Sequence, residues 1–359
     1  MSSVGRYSVP ALFFLTCMGP AVGQVAGLPT GSFTHPDELL ARERLSVLTH
    51  KIADDSSNAS LLLERADLYR DIGDIESMQR DVQKAVTIRP RSEATWIAAG
   101  QVVGKLESSS ALPYYDSAVR LAPHSVAARR MRAIALSQLS RQEAALVDVD
   151  AALKVTPADA LLIGLKASIL MRMGEFKTAI DLFSRSIEIE PLAQAYFDRA
   201  FCYRQIGELA RAIDDYSAAC RLDGTLLGAI AERGIAYQLS GDFRRAADDW
   251  ERVRKASPDD PNTPLLLSWL YATAPDADVR DGRKALVVAG SLCDPVTCQT
   301  AEYLTALAAS YAELGDFDKA IALQERAVAV SHFAPDFNAA SADRLEVLRK
   351  RQPIRQGRS

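Results

Sequence analysis

An all-α solenoid of antiparallel helix pairs is the fold this sequence predicts, and three regularities carry the expectation. Prolines recur at Pro90, Pro123, Pro157, Pro191 and Pro258, with Gly224 where another would fall, at spacings of 33, 34, 34, 33 and 34 residues. A fixed period of that size marks stacked helical hairpins. Small residues return inside each period: Ala66, Gly100, Ala133, Ala167, Ala200, Gly234 and Ala308 form one set. Ala145, Ala179, Ala212, Ala246, Ala285 and Ala320 form a second, and Ala85, Ala118, Ala152, Ser186, Ala219 and Ala327 a third. Between the first and second sets lie Gly73-Asp74, Gly174-Glu175, Gly207-Glu208, Gly241-Asp242 and Gly315-Asp316.

These regularities have one physical cause. Antiparallel helices approach closely only where side chains at the crossing are small. One small residue sits on the first helix, one faces it from the second, and one receives the next hairpin. Gly takes the left-handed conformation that ends a helix, and the acid after it favours the start of the next. Proline then closes the second helix and opens the link onward.

Along the chain, Arg6, the apolar run Val9–Met18 and the small Ala21 and Gly23 before Gln24 read as an export signal over residues 1–23. A short membrane anchor is the other reading. Pro10 and Pro20 interrupt the run, however, and a span needs about 20 apolar residues. Thr16 is a poor neighbour for lipid attachment, so an anchor at Cys17 is the lesser alternative. Residues 24–35, rich in Gly, Pro, Ser and Thr, are expected as a flexible lead. Over 36–58, Leu39, Leu40, Leu45, Leu48 and Ile52 are spaced for one apolar helical face, which predicts a capping helix.

An array of about eight repeats follows over 59–334, with hairpins at 59–92, 93–125, 126–159, 160–192, 193–226, 227–260 and 301–334. The segment 261–300 is irregular, its Pro275-Asp276 and Arg280-Asp281-Gly282 lengthening the loop between helices. In 93–125 the Gly turn is replaced by Glu107-Ser108-Ser109-Ser110. Phe337, Ala340, Leu345 and Leu348 predict a closing helix over 335–350 whose charged face shields the last repeat, and 351–359 is expected as a basic disordered tail.

Composition is that of a packed protein, 48% hydrophobic with 42 Lys+Arg against 46 Asp+Glu, which excludes disordered, collagen-like and disulfide-dense classes. Without residues 1–23 the net charge of −4 becomes −5, and residues 344–359 carry +5, so the remaining body is near −10. An acidic body argues against nucleic acid, whose phosphates need a cationic face.

These residues resemble the tetratricopeptide repeat family. Trp96-Ile97-Ala98-Ala99-Gly100, the run from Ala200 to Gly224, and Ala308-x-x-Tyr311-x-x-x-Gly315 reproduce its motif order. Tyr115, Phe183, Tyr216 and Trp250 fill its bulky place, and the likeness covers about residues 59–330. It implies a right-handed superhelix with a concave groove lined by the first helices. On that resemblance the groove residues are Arg130, Gln138, Met171, Arg172, Gln194, Phe197, Phe201, Arg204, Gln205 and Gln238. Arg, Gln, Phe and Met supply hydrogen-bond forks and apolar contact at interfaces. The two-carboxylate clamp of chaperone-binding members is missing, since Ile134, Ser168, Phe201 and Ile235 stand at its key place.

Catalytic and metal-binding patterns are not found. His35, His50, His124 and His332 are scattered, without paired ligand spacing, and there is no Gly-rich phosphate loop or Gly-x-Ser-x-Gly. Asp148/Asp150, Asp214-Asp215 and Asp248-Asp249 recur early in second helices, where a solvated, dipole-complementing place is expected. The irregular segment offers Asp276, Asp278, Asp281 and Cys293 without a base. Cys202 and Cys220 flank the Gly207 turn with an axial offset of about 12 Å at ~1.5 Å per residue, too far for a disulfide and so two buried thiols. Cys293 and Cys298, in one loop, are either a small disulfide or two thiols.

The expected role is therefore a non-enzymatic protein–protein interaction scaffold outside the cytoplasm, periplasmic or secreted, holding a partner peptide or protein in the groove. The alternative is an envelope assembly factor binding anionic lipid or cell-wall polymer through its convex face or basic tail. No cofactor, metal, nucleic acid or membrane span after signal removal is expected, and the oligomeric state stays open.

Overall fold

The computed structural model describes residues 35–330 and 335–356, so the predicted signal (1–23), most of the lead, Cys17, the side chain of Phe337 and residues 357–359 lie outside the described residues. Among the described residues there are 18 helices and no strand, and none of the helices is long and apolar enough to cross a membrane. The chain is an all-α solenoid of helix pairs. It divides into two compact units, 25–191 and a second from Leu192 onward.

The first unit holds α1 (His35–Asp54), α2 (Ala59–Asp71), α3 (Ile75–Ile88), α4 (Glu93–Gly104), α5 (Ser108–Leu121), α6 (Val126–Gln138), α7 (Gln142–Leu153), α8 (Ala160–Arg172) and α9 (Phe176–Ile189). The second holds α10 (Ala193–Gln205), α11 (Leu209–Leu222), α12 (Leu227–Leu239), α13 (Phe243–Ala256), α14 (Asn262–Thr273), α15 (Gly282–Gly290), α16 (Ala301–Glu313), α17 (Phe317–Val330) and α18 (Pro335–Arg349). In both, each helix packs on the next, so every pair leans on its neighbours.

The alanines of the three small-residue sets are fully buried at the helix crossings. Opposite Tyr115 and Trp250, glycine stands in for alanine. A Cβ on Gly100 would lie 2.6 Å from the Tyr115 ring, and one on Gly234 would lie 2.5 Å from Trp250 Nε1. Gly73, Gly174, Gly207, Gly241 and Gly315 end the first helices with φ of +80 to +84°. The residue after each donates its N–H back five places, as Asp242 does to the Tyr237 carbonyl at 2.8 Å. Ser140 fills the same place with φ +59°. Asp74, Asp242 and Asp316 then cap the following helix through their side chains, whereas Glu175 and Glu208 do not. Asp has the short reach that an N-cap requires.

Asp148, Asp215 and Asp249 are not on the solvated face as expected. They are 1%, 7% and 7% exposed, and each takes both prongs of an arginine sixteen residues earlier: Arg132, Arg199 and Arg233. Arg65 and Asp81 repeat the arrangement in the first pair. The exposed neighbours Asp214 and Asp248 are the solvated members. The recurrence reflects a second-helix carboxylate meeting the first helix in the gap beside the small residues.

The ends also differ from expectation. On α1, Leu48 and Ile52 are buried but Leu40 is 56% exposed. On α18 the buried stripe is Ser341, Arg344 and Leu348. Arg344, expected in the solvated basic stretch, lies 5.0 Å over the Trp269 ring, and burial pushes its guanidinium down to about 10. Residues 351–356 lie against the second unit, with Ile354 3% exposed. Arg351 (φ +52°) reverses the chain after α18, its N–H bonding the Leu348 carbonyl and that of Gln352 the Val347 carbonyl, the same ending as the repeat turns.

In the irregular pair, Asp281 caps α15, and Asp276 accepts from the Asp278 N–H. Cys293 and Cys298 are joined as a disulfide, with Cα atoms 5.5 Å apart. The loop is held by Arg326, whose guanidinium donates to the carbonyls of Pro295, Val296 and Cys298. Cys202 is buried and Cys220 half-buried, both as free thiols. Burial pushes the Cys202 thiol up to about 12.

Candidate partner-binding face

In the first unit, α6 carries Arg130 and Gln138, and α8 carries Met171 and Arg172. Met171 is buried, so its side chain belongs to the packing instead of the surface. Gln138 is exposed and accepts from the Ser108 hydroxyl at 2.7 Å, Arg172 is exposed and Arg130 half-buried.

The second unit brings its predicted residues together more fully. Gln194, Phe197, Phe201, Arg204 and Gln205 recur along α10 at helical spacing and share its face. Phe197 is buried against Tyr216, ring centroids 5.7 Å apart. Gln194 donates to Asp198 at 2.8 Å. Arg204, only 8% exposed, pairs with Glu232 of α12 at 3.0 Å and lies 5.1 Å over the Phe201 ring. Burial pushes the Glu232 carboxyl above its usual range, and Arg204 acts against that shift. The face therefore presents Phe201 and Gln205 half-buried around a built ion pair.

Further along, the C-terminal turns of three first helices meet one non-helical segment. Gln238 of α12 donates through Nε2 to Gln356 Oε1 at 2.9 Å. Thr273 of α14 receives two bonds from Gln356, the backbone N–H to its carbonyl and Nε2 to its hydroxyl, both at 2.8 Å. Glu313 of α16 pairs with Arg355 at 2.6 Å and accepts from Arg280 at 3.2 Å. Ile354 is 3% exposed and joins the core cluster of this unit. Arg351 reaches Asp318 at 2.8 Å.

Sequence reasoning reached Gln238 but missed Glu232, Thr273, Glu313 and the segment 354–356. One signal for the segment was present: an isolated Ile354 three residues beyond Arg351, just after Pro353, is an apolar residue with no reason to sit in a solvated tail. Among the described residues, no group of three or more His, Cys, Asp or Glu converges as a metal would need.

Tetratricopeptide-repeat family models match residues 59–92, 165–225 and 301–331. The chain is 28% identical over 155 residues to Protein FlbA of Caulobacter vibrioides, which covers 43% of this chain and 26% of that protein. It is 31% identical over 115 residues to Bacteriophage adsorption protein A of Escherichia coli, 32% of this chain and 12% of that protein. The match thus spans well under half of either relative. Among solved structures, the pilus biogenesis factor PilW superposes with TM-score 0.52 at 17% identity, covering 58% of this chain and 98% of that one. The Cut9–Hcn1 hetero-tetramer of the APC/C gives TM-score 0.52 at 16% identity over 87% of this chain and 54% of that one. At such identities the two structures share the fold.

Proposed function

The chain belongs to the tetratricopeptide repeat family and is a protein–protein interaction scaffold; from this we propose that it holds a non-helical segment of a partner against its first helices. Gln238 carries the reading. A side chain expected to contact a partner spends its amide on a non-helical stretch of polypeptide, together with Thr273 and Glu313. Such a surface offers hydrogen-bond forks beside apolar contact, the combination that gives interfaces register and affinity.

The basic-tail alternative has less support, since Arg351 and Arg355 are already paired with Asp318 and Glu313. We place the protein outside the cytoplasm on two grounds. One is the export-like stretch Arg6 to Gly23, and the other is the Cys293–Cys298 bond, of a kind that persists in oxidising compartments. Sequencing the mature N-terminus from cell fractions tests this; a cytoplasmic chain retaining Met1 rejects it.

Arg204 is a poor choice for testing the face, because it is paired inside it. Phe201→Ala with Gln205→Glu is the better probe. Capture of a native partner from the host should fall at least about tenfold, the cost of removing a central aromatic anchor, while circular dichroism stays helical. Undiminished capture rejects this face.

A further inference from the structure

We propose that residues 354–356 are a built-in occupant of the partner site, and that the site recognises the same chemistry in a partner: an apolar residue, then a cation, then a carboxamide. This rests on the reading of the first-helix face as the place where a partner binds. Three separate seats define the order. Ile354 is buried in the unit's core cluster, Arg355 sits on Glu313, and Gln356 bonds Gln238 and Thr273.

The seats are specific. Gln356 uses its backbone N–H, its side-chain carbonyl and its side-chain amide, so a carboxylate there would lose a donor and set charge against the Thr273 hydroxyl oxygen. Glu313 is held from the other side by Arg280, which fixes the carboxylate where an incoming cation meets it. Thr273 donates its hydroxyl proton to the Trp269 carbonyl, leaving its oxygen as an acceptor. Each seat is prepared by a neighbour on the scaffold, the mark of a receptor built in advance.

The turn explains how the segment arrives. With Arg351 in the left-handed conformation, the chain folds back from α18 within a few residues, and Pro353 limits its freedom on the way. A segment tethered this closely meets its seat at an effective concentration on the order of millimolar. A partner must displace it, and its apparent affinity is lowered by the fraction of chains whose site is open.

The test uses the full chain and a fluorescein-labelled, amidated peptide of residues 350–356, read by anisotropy. In one variant, Ile354→Asp with Gln356→Ala releases the internal segment. The peptide should bind this variant at least about tenfold more tightly than wild type. Binding should be lost when the peptide carries Arg355→Glu, or when the opened protein also carries Glu313→Lys. Pairing that Glu313→Lys protein with the Arg355→Glu peptide should restore it. Equal binding to wild type and the opened variant overturns the proposal, as does no binding to an opened variant that keeps its helical spectrum. A wild-type dimer that separates on opening overturns it as well, since the seat would then be filled by a second copy. Native-partner capture distinguishes the two readings. If opening leaves capture unchanged while Phe201→Ala with Gln205→Glu removes it, the internal occupant is wrong and the face stands. If the Phe201 and Gln205 changes leave capture intact, the face itself is wrong.

Discussion

Arg199 and Asp215 stand sixteen residues apart and meet as a two-pronged fork, Nε to Oδ2 at 2.7 Å and Nη2 to Oδ1 at 2.8 Å. Tyr196 and Tyr203 flank the guanidinium at 5.5 and 5.9 Å, so its planar faces are covered by rings. The carboxylate is buried and the arginine partly so. Removing one partner of such a pair leaves the other charge uncompensated, and Asp215→Ala is expected to cost about 3 kcal/mol in urea unfolding. In a double-mutant cycle with Arg199→Met the second change should then cost much less than alone; full additivity refutes the coupling.

Ser140 holds a left-handed conformation at the place five glycines occupy elsewhere. A side chain there pays about 1 kcal/mol, so Ser140→Gly should raise the thermal midpoint and Ser140→Val lower it. A midpoint lowered by Ser140→Gly contradicts this.

Gly234 lies under Trp250, whose indole N–H is fixed on the Ala231 carbonyl at 3.0 Å. Gly234→Ala should therefore destabilise the second unit by roughly 1–3 kcal/mol through overpacking. Elsewhere in the array an alanine at this place faces Tyr216 or Phe183, so adding Trp250→Phe should return part of the loss.

Cys202 and Cys220 differ in access, and burial raises the Cys202 thiol to about 12. Since the thiolate is the reactive form, Cys220 should label first with a thiol reagent at pH 8, and Cys202 only as the unit unfolds. Equal rates in the native state would contradict the packing.

Glu232 titrates above the ordinary 4.5 because it is buried, although Arg204 favours its charged form. A raised folded value means that the native state holds the proton more tightly than the unfolded chain. Stability from this group is therefore full below 4.5 and declines as pH rises through the raised value. Measured against Glu232→Gln, wild-type stability should decline as pH rises above 4.5. A flat difference would show that Arg204 cancels the burial.

Fold and site were legible to different degrees, for physical reasons. Helix pairs follow from glycine turns and from alanines spaced by local geometry, so the repeat could be read directly, and Ala212 or Gly241 each announces its role. The arginine–aspartate forks were visible as a sixteen-residue spacing, yet acids early in a helix also suit solvent, and local reasoning chose solvent. Gln238 was found because family position marks it. Thr273 and Glu313 were missed because their partners lie more than forty residues away at Gln356 and Arg355. Arg351 concealed its turn by not being glycine.

The reversal at Arg351 bears on how this molecule responds to being held. Tension applied beyond Gln356, from a bead, a surface or a larger body fused there, acts first on the bonds of Gln356 to Gln238 and Thr273, then on Arg355 and Ile354, before any helix is strained. A chain anchored by that end would present its receptor empty, while one drifting unattached would keep it plugged.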